Sequence, residues 1–168
     1  MHESSIISMK EFFSAYIKEP WGDVLDIGAR GNDSYRKIAR DNKCTYVGLD
    51  IIKGDNVDIV PKDPYDWKEE IGPETFSIVI SGQAFEHIEF FWLTFKEMVR
   101  VLKPGGYICL IVPSRGYYHN QPVDCWRFYG DSMAALAKWG NIKLIRADIT
   151  DPSAVWGDNR GVFRKETV

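Results

Sequence analysis

Cysteine and histidine are both scarce in this chain of 168 residues, with three of each. The cysteines, Cys44, Cys109 and Cys125, are odd in number and far apart, which excludes a disulfide scaffold and a thiolate metal knuckle. They read as reduced thiols of a cytoplasmic protein, with Cys109 as core. The three histidines are isolated in the sequence and no histidine–carboxylate cluster sits at ligand spacing, so no metal is expected. No apolar run exceeds strand length, which excludes a membrane-spanning helix. The opening Met1-His2-Glu3-Ser4-Ser5 lacks the basic and apolar regions of a secretory signal. Basic charge is not in excess either: a net charge of -3 and a pI near 5.6 argue against nucleic acid as the main partner. Repeats, low-complexity stretches and linkers are absent, and this length makes a single domain with one substantial core.

What is present is an alternation of strand-like and helix-like segments. Met9, Phe12, Phe13, Tyr16 and Ile17 fall at helical spacing and predict a leading helix over 8–18, stopped by Pro20 and Gly22. Strands are expected at 24–27, 45–50, 57–60, 76–81, 107–112, 142–148 and 161–165, the edge strands being the most weakly marked. Between them, Asn32 or Asp33 can cap a helix running to Asn42, and Pro64 suits the first turn of a helical segment over 64–70. Phe91, Phe95, Met98, Val99 and Leu102 share one face of a helix over 90–102, which Lys103-Pro104-Gly105-Gly106 ends. A further helix is expected at 131–139. Seven strands with interleaved helices predict an open, doubly wound α/β sheet with helices on both faces.

The chemistry concentrates at two acidic residues. Val24-Leu25-Asp26-Ile27-Gly28-Ala29-Arg30-Gly31 places a carboxylate at the end of an apolar run and glycines directly after it. Asp50 closes the next run, Tyr46-Val47-Gly48-Leu49-Asp50. A parallel sheet that holds a nucleoside-bearing cofactor across its strand ends needs this arrangement. The glycines admit the ligand to the backbone, and the second acid accepts the ribose hydroxyls.

Four blocks in order resemble class I S-adenosylmethionine-dependent methyltransferases, particularly the small bacterial methyltransferase-domain-11 type. Two are the runs ending at Gly28 and Asp50. The others are Phe76-Ser77-Ile78-Val79-Ile80-Ser81, followed by Phe85-Glu86-His87-Ile88, and Glu97 through Gly106. The resemblance implies a Rossmann-like seven-stranded sheet with an antiparallel last strand, S-adenosyl-L-methionine as cofactor and S-adenosyl-L-homocysteine as product. It implies cofactor contacts by Asp26, Gly28, Ala29, Arg30, Gly31, Asp50 with Ile51, Asp63 with Pro64 and Tyr65, and Ser81, Gly82 and Gln83. Arg30 and Asn32 stand where the family commonly has glycines. That departure weakens a nicotinamide-binding reading further and would bring Arg30 near the methionine carboxylate.

The span 113–130 follows the fifth expected strand and so lies over the strand ends where ligands bind. It mixes aromatic residues with His119, Asp124 and Arg127 and reads as an acceptor loop. Pro122 through Tyr129 looks like a run in methyltransferases encoded among glycan-assembly enzymes. His119, Asp124 and His87 are the candidate catalytic groups. The expected organisation is one domain over 1–168: a leading helix to 20, a cofactor-binding core over 21–115, the acceptor loop over 113–130, and a C-terminal helix and strands over 131–168. The expected reaction is O-methylation of a saccharide or other small molecule, with a homodimer or partner enzyme completing a shallow acceptor site. The rival is a non-catalytic module that binds the cofactor or its product, or scaffolds a partner.

Overall fold

The computed structural model describes residues 3–18, 22–31, 33–120, 122–150 and 155–167. In chain order the elements are α1 (Glu3–Tyr16), β1 (Asp23–Ile27), α2 (Ser34–Asp41), β2 (Thr45–Leu49), β3 (Phe76–Gly82), a single helical turn at Phe85–His87, α3 (Phe91–Val101), β4 (Leu102–Arg115), α4 (Ser132–Gly140), β5 (Lys143–Ile149) and β6 (Gly157–Arg164). The sheet order is β2-β1-β3-β4-β6-β5. β1 to β4 pair in parallel, and β6 is antiparallel to both of its neighbours. The chain leaves β1 toward β2 and returns on the other side as β3, so the strand order reverses at β1. In an open α/β sheet that reversal opens a crevice beyond the carboxyl ends of the strands.

Alternating strand side chains feed two apolar clusters. Leu25, Ile27, Val79 and Leu110 pack with Phe95 and Met98 of α3 and Met133 and Leu136 of α4. Val24, Ile78, Ile80 and Cys109 pack with Phe12 and Phe13 of α1 and Tyr35 and Ile38 of α2. Cys109 is fully buried core, and burial pushes its thiol up to about 12.

The described residues form six strands, one fewer than expected. The segment 57–60 contributes only a single parallel bridge, Leu49 with Ile59. Asp58 explains the loss. Its carboxylate accepts the Gly48 N–H at 2.8 Å and pairs with Arg36 at 2.8 Å, so a side chain takes a place that a ladder bond would fill. The helical segment expected over 64–70 is a series of turns. α1 begins five residues earlier than its apolar spacing suggests. Ser5 and Ser8 are buried on its inner side, where the Ser5 hydroxyl lies 2.5 Å from Tyr35 Oη and the Ser8 carbonyl accepts from Arg160 at 3.1 Å. Pro20, expected to stop α1, and Asn32, one of two expected caps for α2, lie outside the described residues; Asp33 is the N-cap.

Candidate active site

The carboxyl ends of β1, β2 and β3 open into a cavity of about 770 Å³, within the size range of small-molecule sites. Its floor includes Ile27, Gly28, Leu49, Asp50, Gln83 and Ala84. Two walls of different chemistry rise from it. One follows Asp50 through Ile51 and Ile52 to Pro64, Tyr65 and Trp67; the other holds Glu86, His87, Ile88, His119, Pro122 and Val123.

The turn after β1 is shaped by its glycines. Gly28 has φ +79°, and a Cβ there would stand 2.5 Å from Ala84 Cβ. The Gly28 and Ala29 N–H groups both donate to the Leu49 carbonyl, at 2.9 and 3.2 Å, which ties the turn to the end of β2. Gly31, at φ +77°, donates its N–H to Asp55 O at 3.2 Å. Gly28→Ala should therefore lower stability by about 1–3 kcal/mol, from overpacking and a disfavoured φ together. Urea unfolding of the two proteins measures this.

Asp50 caps the loop beyond β2. Its Oδ1 accepts the Ile52 N–H at 3.0 Å, and its Oδ2 accepts the Arg30 N–H at 3.3 Å. These two bonds fix the carboxylate at the cavity wall and leave it lone pairs for a ligand. The stem of Arg30 lies against Gly54, where a Cβ would come within 2.8 Å of its Cγ. The side chain thus runs along the loop that follows Asp50, and Arg30 lines the cavity.

Other residues singled out in the sequence are absorbed by the scaffold. Asp26 is buried on the α2 side, accepting from Tyr46 Oη at 2.6 Å, and burial pushes its carboxyl up to about 7 despite that bond. Ser81 is buried and donates to the Ile27 carbonyl at 2.9 Å, joining β3 to β1. Gly82 is required by packing, since a Cβ would meet the Tyr35 ring. Asp63 is exposed, and its Oδ1 accepts the Tyr65 N–H at 2.7 Å in a local turn that presents Pro64 and Tyr65 to the cavity. Gln83, at φ +57°, does face the cavity and donates to Asp158 Oδ1 at 2.9 Å.

The opposite wall contains an arrangement that the sequence conceals. His87 and His119 are 32 positions apart, yet their rings meet edge to face with centroids 5.1 Å apart. His87 Nε2 lies 3.6 Å from Glu86 Oε1, and its Nδ1 lies 2.5 Å from the Val123 carbonyl. Glu86 is only 1% exposed, its Oε2 has no hydrogen-bond partner, and burial pushes its carboxyl up to about 7. The histidines are therefore not isolated in space.

Asp124 is not among the residues that line the cavity. Its side chain is 1% exposed and bidentate with Arg127, at 2.5 and 2.7 Å, while Oδ2 also accepts the His119 N–H at 2.8 Å. The guanidinium holds the Asp124 carboxyl down to about 2. A carboxylate so occupied is a poor proton acceptor near neutrality; it sets the course of the loop and the position of His119. The loop is fastened by Cys125 N–H to Glu86 O at 2.7 Å and Phe128 N–H to Pro113 O at 2.8 Å, and by Phe128 packing on Phe91.

With this geometry in place, comparison with known proteins is decisive on family. A family model described as a methyltransferase domain matches residues 3–144, most of the chain. The chain belongs to that family, the class I S-adenosylmethionine-dependent methyltransferases. No match is found among curated proteins. Among solved structures, this methyltransferase domain is similar to the Burkholderia thailandensis 1,6-didemethyltoxoflavin-N1-methyltransferase, solved with 1,6-didemethyltoxoflavin and S-adenosylhomocysteine. The TM-score is 0.77 at 14% identity, over 98% of this chain and 80% of that one. The cyclase SpnF is similar at a TM-score of 0.76 and 12% identity, over 97% and 82% of the two chains. A third neighbour is the Haloferax volcanii complex of the Trm112 methyltransferase activator with a methyltransferase. It matches at a TM-score of 0.70 and 18% identity, over 95% and 88%. At these identities the likeness is one of fold, and a cyclase among the neighbours shows that the fold alone does not name the reaction.

Trp67, Glu86 and Trp156 also line the cavity of the methyltransferase domain, though none is a candidate site residue in the sequence. Glu86 carried a signal, since it sits in the Glu-His block after β3. Trp67 and Trp156 carried none, because an aromatic residue in a turn-rich segment looks the same whether it lines a cavity or covers core. Among the described residues, no helix is long and apolar enough to cross a membrane.

Proposed function

We propose that this domain transfers the methyl group of S-adenosyl-L-methionine to a hydroxyl of a saccharide or other small acceptor. The observation that carries the reading is the two-sided cavity. A glycine turn and Asp50 stand on one wall, and Glu86, His87 and His119 stand on the other. In this reading Asp50 accepts the ribose hydroxyls, and the backbone of Gly28, Ala29, Arg30 and Gly31 borders the ligand. Ile51, Pro64 and Tyr65 flank the adenine, Asp63 shapes the turn beneath it, and Gln83 meets the methionine portion. Asp26, Ser81 and Gly82 hold the strand ends on which that contact depends. S-adenosyl-L-methionine held there would supply an electrophilic methyl group to an acceptor hydroxyl at the histidine wall: the oxygen–carbon bond would form as the hydroxyl proton passed to His119 and the carbon–sulfur bond broke with its electron pair on sulfur, leaving S-adenosyl-L-homocysteine.

Two features support a carbohydrate-like acceptor. Tyr117 and Tyr118 are 70% and 71% exposed on the loop beside His119, and Tyr117 packs edge-on against the cavity residue Trp156. Exposed aromatic faces beside polar groups suit a sugar ring. The open mouth also suits the end of a larger glycan, or an acceptor site completed by a second copy or a partner protein. We read residues 1–168 as one such domain acting in the cytoplasm, with 113–130 as its acceptor loop. A cofactor-binding scaffold without catalysis would call for an acceptor side closed by this loop; instead the loop forms one wall, and His119 faces the cavity.

Calorimetric titration with S-adenosylmethionine, S-adenosylhomocysteine and NAD tests the cofactor, and labelled methyl transfer to a panel of sugars tests the acceptor. Tight NAD binding with no response to the other two would overturn the reading. His119→Ala should lower turnover by about a hundredfold, at the lower end of what a positioned proton-handling group contributes. Cofactor affinity should stay within twofold in the same protein, because His119 stands on the acceptor wall.

A further inference from the structure

We propose that Glu86, His87 and His119 form a binding site for one divalent transition-metal cation of the zinc or ferrous class, at the acceptor side of the cavity. Each residue offers one ligand atom, and the three atoms lie within 4.8 Å of one another. A cation placed among them would have two imidazole nitrogens and one carboxylate oxygen as ligands, with its remaining positions open toward the cavity. This is the ligand composition of three-residue catalytic sites; a magnesium ion, which prefers oxygen ligands and several waters, would be poorly matched.

Three further observations support a ligand set over a chance cluster. His87 Nδ1 lies 2.5 Å from the Val123 carbonyl, which makes Nδ1 the donor and leaves the Nε2 lone pair facing Glu86. A backbone carbonyl in that role is the usual second partner of a metal-bound histidine. His119 Nδ1 has two acceptors beside it, the Tyr117 carbonyl at 3.2 Å and Asp124 Oδ2 at 3.4 Å, which favour the same tautomer over the single donor, Arg127 Nη2, also at 3.4 Å. Glu86 supplies the strongest argument. Its side chain is 99% buried, and Oε2 has no partner, an arrangement that is costly for a carboxylate unless a cation meets it. Arg127 gives Oε2 no hydrogen bond: its Nη1 and Nη2 are bidentate with Asp124, and its buried Nε has no partner.

The site deepens the methyl-transfer reading and rests on it for its role, though not for its existence. Beside the methyl donor, a cation at this wall would hold the acceptor oxygen in line and favour its deprotonated form. With His119 engaged by the cation, the hydroxyl proton would pass to water instead of to His119, the oxygen–carbon bond would form, and the carbon–sulfur bond would break with its electrons on sulfur.

The test is titration of the chelator-treated full chain with Zn²⁺ by calorimetry and with Co²⁺ by visible absorption. The expected result is one ion per chain. His119→Ala and Glu86→Gln should each weaken Zn²⁺ binding about a hundredfold and abolish the Co²⁺ band. His119 is the safer variant, because it lies on the loop surface and its loss should leave the metal-free unfolding temperature unchanged. Absence of Zn²⁺ binding by the wild type, or unchanged affinity in both variants, would overturn the proposal. S-adenosylhomocysteine titrated into the same samples separates the two readings. Zn²⁺ bound without S-adenosylhomocysteine would leave the metal site standing and remove the methyl-donor reading, and the reverse result would remove only the metal.

Discussion

Asp50→Ala should raise the dissociation constant for S-adenosylhomocysteine by about 10²–10⁴-fold while leaving the fold intact. A carboxylate that accepts two ribose hydroxyls makes two charge-assisted hydrogen bonds, each worth roughly 1.5–3 kcal/mol. Their joint loss gives that range at about 1.4 kcal/mol per factor of ten. The structural penalty is smaller. Asp50 is only half-buried, and what it loses within the protein are two acceptor bonds, from Ile52 N–H at 3.0 Å and Arg30 N–H at 3.3 Å. Both donors stand in exposed loop positions where water can replace the carboxylate. Calorimetry on the variant and a thermal melt without ligand distinguish lost binding from lost structure. An affinity within threefold of the wild type would show that the ribose is held elsewhere.

The second large effect concerns pH and Asp26. Burial raises this carboxyl from its ordinary 3.8 to about 7, with Asp50 adding to the rise and Tyr46 and Arg36 opposing it. In the unfolded chain the group ionises near its ordinary value. Below about pH 4 both states hold the proton, and Asp26 imposes no penalty. Between about pH 4 and 7 the unfolded state releases its proton while the folded state keeps it, so stability falls as pH rises. Above about pH 7 both states are ionised, and the loss is complete at on the order of 4 kcal/mol, at 1.36 kcal/mol per pH unit. Asp26→Asn removes the ionisation and can retain the bond from Tyr46 Oη. Urea unfolding from pH 4.5 to 8 should therefore show the ligand-free wild type losing stability relative to Asp26→Asn across that window. Parallel pH profiles for the two proteins would mean that Asp26 is not the titrating group. Asp124, held down to about 2, contributes its own change below the same window and leaves the comparison clear.

The sheet could be read from the sequence because its signals are local. Apolar runs ending at Asp26, Asp50 and Ser81 mark strand ends, and each run forms a parallel strand bordering the cavity. The 57–60 run fails as a strand for a reason that local pattern cannot express: Asp58, paired with Arg36 22 positions away, takes the Gly48 N–H. The start of α1 is hidden in the sequence for a similar reason. Ser5 and Ser8 look like solvent-facing residues until Tyr35 and Arg160 come to meet them.

In the site, the glycine turn and Asp50 were legible because the turn must approach a ligand and the acid must cap it. The histidine wall was not, since His87 and His119 meet only when the loop after β4 folds back over the turn at 85–87. Asp124 shows how a partner along the chain redefines an acid's surroundings. An acid near a histidine suggests a proton relay, but Arg127, three residues on, had already engaged it.

A strand that follows β5 in the chain closes the sheet. β6 lies between β4 and β5, and it brings Asp158 to Gln83 just after Trp156 has joined the cavity wall. Ser4, at the start of α1, donates to that same Asp158 across 154 residues. Until β6 docks, β4 presents an unpaired apolar edge, and α1 lacks both Asp158 and Arg160 as anchors. Pairings between such distant segments close slowly. A chain in which β6 has not docked thus holds most of its core and of its cavity lining beside an open β4 edge, and shielding of that edge decides between folding and aggregation.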